Sequence, residues 1–262
     1  MTPDASSPVT FSVDEGVATL TIDRPDRSNS INPEVVRGLR EGLSRAEGDE
    51  SVRAVVLTGS GDKAFCAGGD LAGMAAEGKV GQHFERAEVG DLFSALRASR
   101  LPIVARVNGH ALAGGFGLML ACDVVIAVED ARMGMPEVDV GLWPFMVSAI
   151  AQRDLPRKVG LDLMLTGRRI DAAEGERWGF VNRVVARPDL DAAVTEYTDA
   201  LKSKSPVVLA LGKTSFYASE DMAFEQQLAY LATMLTLNLE SEDAIEGVTA
   251  FLQKRTPEWR GR

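Results

Sequence analysis

Three short apolar runs constrain the fold of this chain more than any other feature of its sequence. They span residues 54–57, 103–107 and 124–128, and each is almost continuously apolar. Runs of this kind are typical of strands that are buried on both faces of a parallel sheet. The apolar stretch over residues 114–121 lies between the last two runs and predicts a helix. Strand, helix and strand alternate, which predicts an α/β fold.

The N-terminal residues predict a hairpin followed by a helix. Apolar and polar residues alternate over residues 9–13 and again over residues 18–22, and Glu15-Gly16 supplies a turn between them. Asn32 followed by Pro33 is a typical helix N-terminus, because the asparagine side chain caps the helix and proline needs no amide partner there.

From Lys158 onward the pattern becomes mainly helical. Asp171 with Glu174 predicts a capping box, and Ser205 and Ser241 are expected to cap two further helices. One predicted helix carries three leucines on one face: Leu228, Leu231 and Leu235. A lone surface helix would expose them, so we expect this chain to be an oligomer.

The net charge argues against a polyanionic partner. The chain of 262 residues has 28 Lys and Arg and 38 Asp and Glu, so the formal charge is 28 − 38 = −10. We therefore expect no nucleic-acid partner, and an anionic ligand would have to be held by backbone amides and a few local cations.

The cysteine and histidine content further limits the kind of protein that this chain can be. Two cysteines, Cys66 and Cys122, cannot build a disulfide framework, and the chain does not open on a leader pattern, so we expect a cytoplasmic protein. The longest apolar runs are too short for a membrane span. Two histidines, His83 and His110, are too few for a metal cluster, and we expect no metal site.

Common catalytic and nucleotide-binding motifs are absent. Residues 212–214, Gly-Lys-Thr, resemble the end of a P-loop, but the glycine that this loop needs is Val207. No dinucleotide fingerprint and no Gly-x-Ser-x-Gly elbow occurs.

Two glycine-bearing turns remain, over residues 64–71 and 108–117, and each precedes an expected helix. Helix starts present unpaired N–H groups and the positive end of a dipole, so two of them together would form an oxyanion hole. The alternative is that these glycines only permit tight turns and close helix packing.

With five further motifs, these turns resemble the crotonase superfamily, also called the enoyl-CoA hydratase/isomerase family. The motifs are Arg24-Pro25 with Asn29 and Asn32, residues 135–142, residues 165–170, residues 178–181, and Glu246-Gly247 with residues 251–255. The resemblance covers essentially the whole chain. It implies a crotonase-like coil of ββα units over residues 1–190 that binds acyl-CoA, and a C-terminal helical region over residues 191–262 that forms homotrimers or dimers of trimers.

The resemblance also implies a site. The thioester oxygen of an acyl-CoA would lie between the backbone amides of Gly69 and Gly114, and Glu137 would be a catalytic carboxylate. Coenzyme A would be part of the substrate, and no separate cofactor is expected. The residues expected to contact CoA are Phe65, Cys66, Ala67, Gly68, Asp70 and Leu71, with Phe251 and Lys254 reaching the CoA of a neighbouring subunit.

One departure from the family pattern bears on the reaction. Hydratases of this family use two glutamates, and the position of the first is Gly117 here, with no acid at 116 or 118. Double-bond isomerisation needs a single base, so we expect an isomerase that uses Glu137. Apolar neighbours should raise the pKa of that carboxyl. Restoring an acid at residue 117 is expected to restore hydration if space allows.

Two alternatives stay open at this point. The chain could be a hydratase despite the missing glutamate, with Asp139 as a substitute acid, or an acyl-CoA-binding protein without turnover. Asp70 and Asp123 are expected to brace the loops and helices near the site, and His110 is expected to be a packed loop residue.

Overall fold

The computed structural model describes residues 7–70 and 79–262 of the chain. Its strands are β1 (Val9–Asp14), β2 (Val17–Ile22), β3 (Ala54–Gly59), β4 (Ala64–Cys66), β5 (Ile103–Val107), β6 (His110–Leu112), β7 (Val124–Val128), β8 (Arg132–Gly134), β9 (Ile170–Asp171) and β10 (Arg183–Val185). Its helices are α1 (Pro33–Gly48), α2 (Lys79–Ala98), α3 (Gly114–Leu120), α4 (Phe145–Asp154), α5 (Arg157–Thr166), α6 (Ala172–Trp178), α7 (Leu190–Lys202), α8 (Pro206–Ala218), α9 (Phe224–Leu239) and α10 (Glu242–Gln253).

The strands of the described residues form a large and a small sheet. The large sheet has the order β1-β2-β3-β5-β7-β10, and the small sheet has the order β4-β6-β8-β9. β1 and β2 form the predicted antiparallel hairpin, with Val9 opposite Ile22, and every other pair in the large sheet is parallel. The three apolar runs are β3, β5 and β7 at its centre, which confirms that they are buried strands.

A ββα unit recurs along the chain. In each unit the first strand joins the large sheet, the second joins the small sheet, and a helix follows. The units are β3-β4-α2, β5-β6-α3 and β7-β8-α4. This arrangement confirms the predicted α/β fold and its coil of ββα units.

Local capping explains where several helices begin. The side chain of Asn32 accepts a hydrogen bond from the amide of Val35, and that of Asp171 accepts one from Glu174. Ser205 and Ser241 cap α8 and α10 in the same way. These four N-termini are confirmed as predicted.

The hydrophobic core lies around the large sheet, and α7 packs on it through Leu190, Ala193 and Val194. α9 has no buried residue. The division of the chain at residue 190 remains a prediction. Among the described residues, no helix is long and apolar enough to cross a membrane.

Candidate active site

The small sheet brings three distant segments to one edge. β4, β6 and β8 are neighbours in that order and run parallel. Gly69 follows β4, Gly114 follows β6, and Glu137 follows β8, each within three residues of the strand's carboxyl end. Because neighbouring strands lie only about 4.8 Å apart, the segments that carry these three residues leave the sheet at the same edge.

The two glycine turns lie against each other. A Cβ built on Gly114 would lie 3.7 Å from the backbone nitrogen of Gly69, and one built on Gly68 would lie 3.1 Å from the nitrogen of Gly114. The backbone of Gly68 has φ +95°, a conformation that favours glycine. The two amide nitrogens that the resemblance singled out are therefore close in space.

Both amides are available as donors. Neither the N–H of Gly69 nor that of Gly114 donates a backbone hydrogen bond to another described residue. Gly114 is the first residue of α3, where helix amides have no partner within the helix. The residues on either side of Gly69 are bonded to Ile31. The carbonyl of Gly68 accepts a hydrogen bond from the amide of Ile31, and the amide of Asp70 donates one to the carbonyl of Ile31. Two neighbouring N–H groups without a backbone partner are the donors that an oxyanion hole needs.

The turn before Gly114 has a strained backbone. Ala113 has φ +51° and ψ −127°, a region that side-chain-bearing residues rarely adopt. At the next position, a Cβ on Gly115 would collide with the carbonyl group of Cys66. Only glycine at residue 115 lets α3 approach β4 this closely.

Glu137 is a partly buried carboxylate with an unsatisfied oxygen. It lies on the 3-10 helix Pro136–Val140, and its Oε2 atom is buried without a hydrogen-bond partner among the described residues. Burial raises the pKa of Glu137, and a hydrogen bond from its own amide opposes this less strongly. A carboxylate of this kind is suited to take up and release a proton.

Gly117 lies one turn after Gly114 on α3, and its surroundings are full. A Cβ there would lie 2.9 Å from Cζ of Phe93 and 3.1 Å from Cγ2 of Val147. Both of these side chains are buried. A carboxylate at residue 117 would therefore require Phe93 and Val147 to move, so the condition of available space for the expected gain of hydration is not met in this packing.

Comparisons with known proteins identify the family of this chain. The profile of the enoyl-CoA hydratase/isomerase family matches residues 12–262. The chain belongs to that family. It is similar to the carnitinyl-CoA dehydratase of Proteus mirabilis (strain HI4320), with 33% identity over 252 residues that cover 94% of this chain and 95% of the relative.

Solved members of the family share the whole fold. An enoyl-CoA hydratase from Mycobacterium smegmatis has a TM-score of 0.93 and 36% identity, and the match covers 96% of this chain and 98% of the other. An enoyl-CoA hydratase from Polaromonas sp. JS666 has a TM-score of 0.92 and 32% identity, with 96% and 99% covered.

The other residues predicted to contact CoA differ in whether a ligand can reach their side chains. The side chains of Phe65 and Cys66 lie fully inside the core, so a ligand could meet these two residues only through their backbone. Burial raises the pKa of the Cys66 thiol to about 12. Ala67 is half-buried, and its amide donates to Ser28. Leu71 lies outside the described residues, as does the expected helix start behind Gly69.

Two predicted CoA contacts lie on or next to α10. Phe251 is 81% exposed, and Lys254 is an exposed residue that ends the helix with φ +56°. Both are accessible on a single chain. Their contact with CoA in a neighbouring subunit remains a prediction.

The remaining acidic and histidine candidates have structural contacts. Asp139 is exposed, with its carboxylate beside Gly167 at the end of α5. Asp123 accepts hydrogen bonds from the amide of Ile103 and from the side chains of Lys213 and Tyr217, which confirms its bracing role. The Nδ1 atom of His110 accepts from the amide of Arg132.

Sequence reasoning missed two residues of this region. Phe93, which fills the space at Gly117, lies on a helix far away in the chain. Arg24 belongs to one of the motifs, but the motif does not reveal that its guanidinium pairs with Asp70 at 2.9 Å. The only signal in the sequence is Gly117 itself, because a glycine inside the apolar helix α3 indicates that a bulky side chain packs against that position.

Proposed function

We propose that this member of the family isomerises the double bond of an enoyl-CoA thioester, with Glu137 as its single acid–base group. The observation that carries the proposal is the edge of the small sheet, where Glu137 follows the strand next to the one that precedes Gly114. A base and two oxyanion donors at one edge suit proton transfer next to a thioester carbonyl.

In this mechanism the amides of Gly69 and Gly114 donate to the thioester oxygen of a 3-enoyl-CoA. The Glu137 carboxylate removes a proton from C2, and the electron pair of that C–H bond enters a dienolate whose charge the two amides stabilise. The same carboxyl group then returns the proton to C4, and the double bond ends between C2 and C3. Atoms and charge balance, and Glu137 is regenerated.

The surroundings of Gly117 favour isomerisation over hydration. Addition of water needs a group that holds the water and exchanges its proton, and Phe93 and Val147 occupy the space where a second carboxylate would project. General acid–base assistance of this kind is worth about 10²–10⁴ in rate. A reaction that uses one proton carrier avoids this loss.

The relatives' name supports a second candidate, the dehydration of a 3-hydroxyacyl-CoA. Carnitinyl-CoA dehydratase from Proteus mirabilis covers nearly the whole chain at 33% identity. Glu137 would remove the C2 proton in this reaction too, but the departing hydroxyl group would need a proton that Gly117 cannot give. We therefore place dehydration second.

The proposed substrate carries its own CoA, so no separate cofactor is involved. The backbone of residues 65–70 would bind the CoA, with Phe251 and Lys254 of a neighbouring subunit. A net charge of −10 does not prevent this, because repulsion between exposed charges is screened beyond about 8 Å.

The test compares three reactions in three proteins. Isomerisation of 3-hexenoyl-CoA, hydration of crotonyl-CoA and dehydration of 3-hydroxybutyryl-CoA are measured with the native chain, Glu137→Gln and Glu129→Gln. Glu129 is an exposed glutamate and serves as the control. We expect isomerisation to exceed hydration in the native chain, to be lost in Glu137→Gln and to persist in Glu129→Gln.

Other outcomes separate the alternatives. Fast dehydration with slow isomerisation would favour the second candidate, and hydration that persists in Glu137→Gln would point to another acid such as Asp139. Tight binding of acyl-CoA without any turnover would favour a binding protein.

A further inference from the structure

The turn that carries Gly69 is held from one side by the segment of residues 24–31. Ile31 pairs with Gly69 in a parallel bridge, in which the amide of Ile31 donates to Gly68 at 2.7 Å and the amide of Asp70 donates to Ile31 at 2.9 Å. Gly69 therefore lies between two fixed backbone hydrogen bonds.

Arg24 adds a side-chain link across the same pairing. Its Nη1 donates to the carbonyl oxygen of Ser30 at 2.6 Å, and its Nη2 donates to Oδ2 of Asp70 at 2.9 Å. The side chains of Arg24 and Asp70 are each only 17% exposed. One planar guanidinium thus joins the residue before Ile31 to the residue after Gly69.

The backbone at Arg24 is itself held in place by hydrogen bonds. The amide of Arg24 donates to Oδ1 of Asn29, and the amide of Asn29 donates back to the carbonyl of Arg24. Asn29 is buried, and its side chain also donates to the carbonyl of Ala64 at 2.7 Å. Ser28 and Asn29 both have positive φ, of 51° and 55°, a strained arrangement that persists because its surroundings fix it.

The same segment reaches the second oxyanion glycine. The Cδ1 atom of Ile31 lies 3.5 Å from the position that a Cβ on Gly114 would take. A shift of Ile31 or of the Gly69 turn would therefore change the distance between the two amides. Errors of about 1 Å in such a site can cost about 10²-fold in rate.

We propose that Arg24 is a positioning residue, which acts through Asp70 and Ser30 to hold the Gly69 N–H in line with that of Gly114. This inference rests on the proposed role of these two amides as the oxyanion hole. Lysine cannot replace arginine fully, because a point charge does not bridge a carbonyl and a carboxylate in one plane.

The test reads the oxyanion hole by spectroscopy as well as by rate. Cinnamoyl-CoA is a conjugated thioester without a hydrogen on C4, so it cannot be isomerised, and polarisation of its carbonyl shifts its absorption to longer wavelength. Its spectrum and its dissociation constant are measured with the native chain, Arg24→Met, Arg24→Lys and Arg27→Met. Arg27 is an exposed arginine on the same segment and is the matched control.

We expect the native chain and Arg27→Met to show the same red shift. Arg24→Met should lose at least half of it and about 10- to 100-fold in the kcat of isomerisation, with KM and the dissociation constant within about threefold. Arg24→Lys should fall between. The pH at half-maximal activity should not move, because Glu137 is untouched, whereas a general loss of fold would change every readout.

The outcomes separate this inference from the proposed function. If the native chain binds cinnamoyl-CoA without a red shift, or does not bind it, the oxyanion hole is wrong, and the role of Arg24 fails with it. If the native chain shows the shift and Arg24→Met keeps it in full with native kcat, only the role of Arg24 is overturned. Should Arg24→Met fail to fold, Arg24→Lys must show a partial loss of the red shift and of kcat for the inference to stand.

Discussion

At the scale of single residues, Glu137 has a side chain that destabilises the fold but is suited to proton transfer. Its Oε2 atom is buried without a partner among the described residues, and burial raises its pKa. An unsatisfied buried oxygen destabilises a fold. An unpaired buried carboxylate oxygen with a raised pKa is a pattern expected of a functional site.

The raised pKa of Glu137 predicts how activity depends on pH. The carboxylate is the active base, so kcat/KM should fall as pH drops through the pKa of the folded protein, which lies above the ordinary value of 4.5. Isomerisation rates measured between about pH 4 and pH 8 check this, because a carboxyl with a raised pKa titrates within roughly that range. A profile with its midpoint below 4.5 would contradict the account.

The packing at Gly117 predicts the effect of adding an acid there. Gly117→Glu should destabilise the chain by about 1–3 kcal/mol or more, because the new side chain collides with Phe93 and Val147. Phe93→Ala/Gly117→Glu exchanges a phenyl ring for a side chain of similar volume. It should be more stable than the sum of the single changes predicts, and thermal unfolding of all three variants measures this.

Hydration of crotonyl-CoA measures the activity of the same three variants. We expect hydration to rise only in the double variant, where the carboxylate has room. A Gly117→Glu protein with native stability and strong hydration would show that the space at residue 117 is not limiting.

Sequence motifs were enough to propose part of this candidate site. Gly69, Gly114 and Glu137 could be singled out because each stands at a fixed place in a motif, and the small sheet brings their segments to one edge. Phe93 could not be predicted, because its contact with Gly117 joins helices separated along the chain. Nor could the link between Arg24 and Asp70, which depends on how two loops pack.

At the scale of secondary structure elements, those that depend on local chemistry can be predicted from the sequence, and those that depend on tertiary packing cannot. Asn32, Asp171, Ser205 and Ser241 carry their own capping groups, so these helix starts were predicted. β4, β6, β8 and β9 have only two or three residues each. Strands this short exist only through pairing with neighbours, and their residue patterns carry no period that could reveal them.

A shielded ion pair helps to attach α8 to the core. Lys213 donates to Oδ2 of Asp123 at 2.7 Å and to the carbonyls of Leu96 and Leu101. Its side chain is 9% exposed. The Gly-Lys-Thr sequence that resembles a P-loop therefore lies inside a helix and has a structural role.

Removing this lysine should weaken the fold. Lys213→Met leaves Asp123 without its cation, and breaking a shielded pair costs about 3–5 kcal/mol. We expect the thermal midpoint to fall by about 6–12 °C or more. Lys204→Met, at an exposed lysine, is the control and should change the midpoint by less than about 2 °C. Equal midpoints in the two variants would contradict the assigned role.

At the scale of the whole molecule, α9 and α10 leave an apolar surface uncovered on the single chain. Leu228 and Leu235 are 54% and 58% exposed, and Ile245 and Val248 on α10 are exposed as well. Surfaces of this kind are typical of protein interfaces. The leucine spacing is visible in the sequence, but the sequence does not show what a partner surface would look like.

This surface predicts self-association. The native chain should sediment as a trimer or a dimer of trimers, and Leu228→Asp/Leu235→Asp should shift it towards monomer, because a charge cannot be buried unpaired. Gln226→Asp adds a charge at an exposed polar position of the same helix and should leave the assembly intact. A native monomer in sedimentation experiments would overturn this expectation.

The central claim, that Glu137 carries one proton between two carbons of a bound enoyl thioester, is tested most directly by product analysis in D₂O. The native chain is incubated with 3-hexenoyl-CoA, and the products are examined by NMR and mass spectrometry. We predict 2-hexenoyl-CoA as the main product, with little 3-hydroxyhexanoyl-CoA, and no conversion by Glu137→Gln. Conversion that persists in Glu137→Gln, or a 3-hydroxyacyl-CoA as the main early product, would contradict the account.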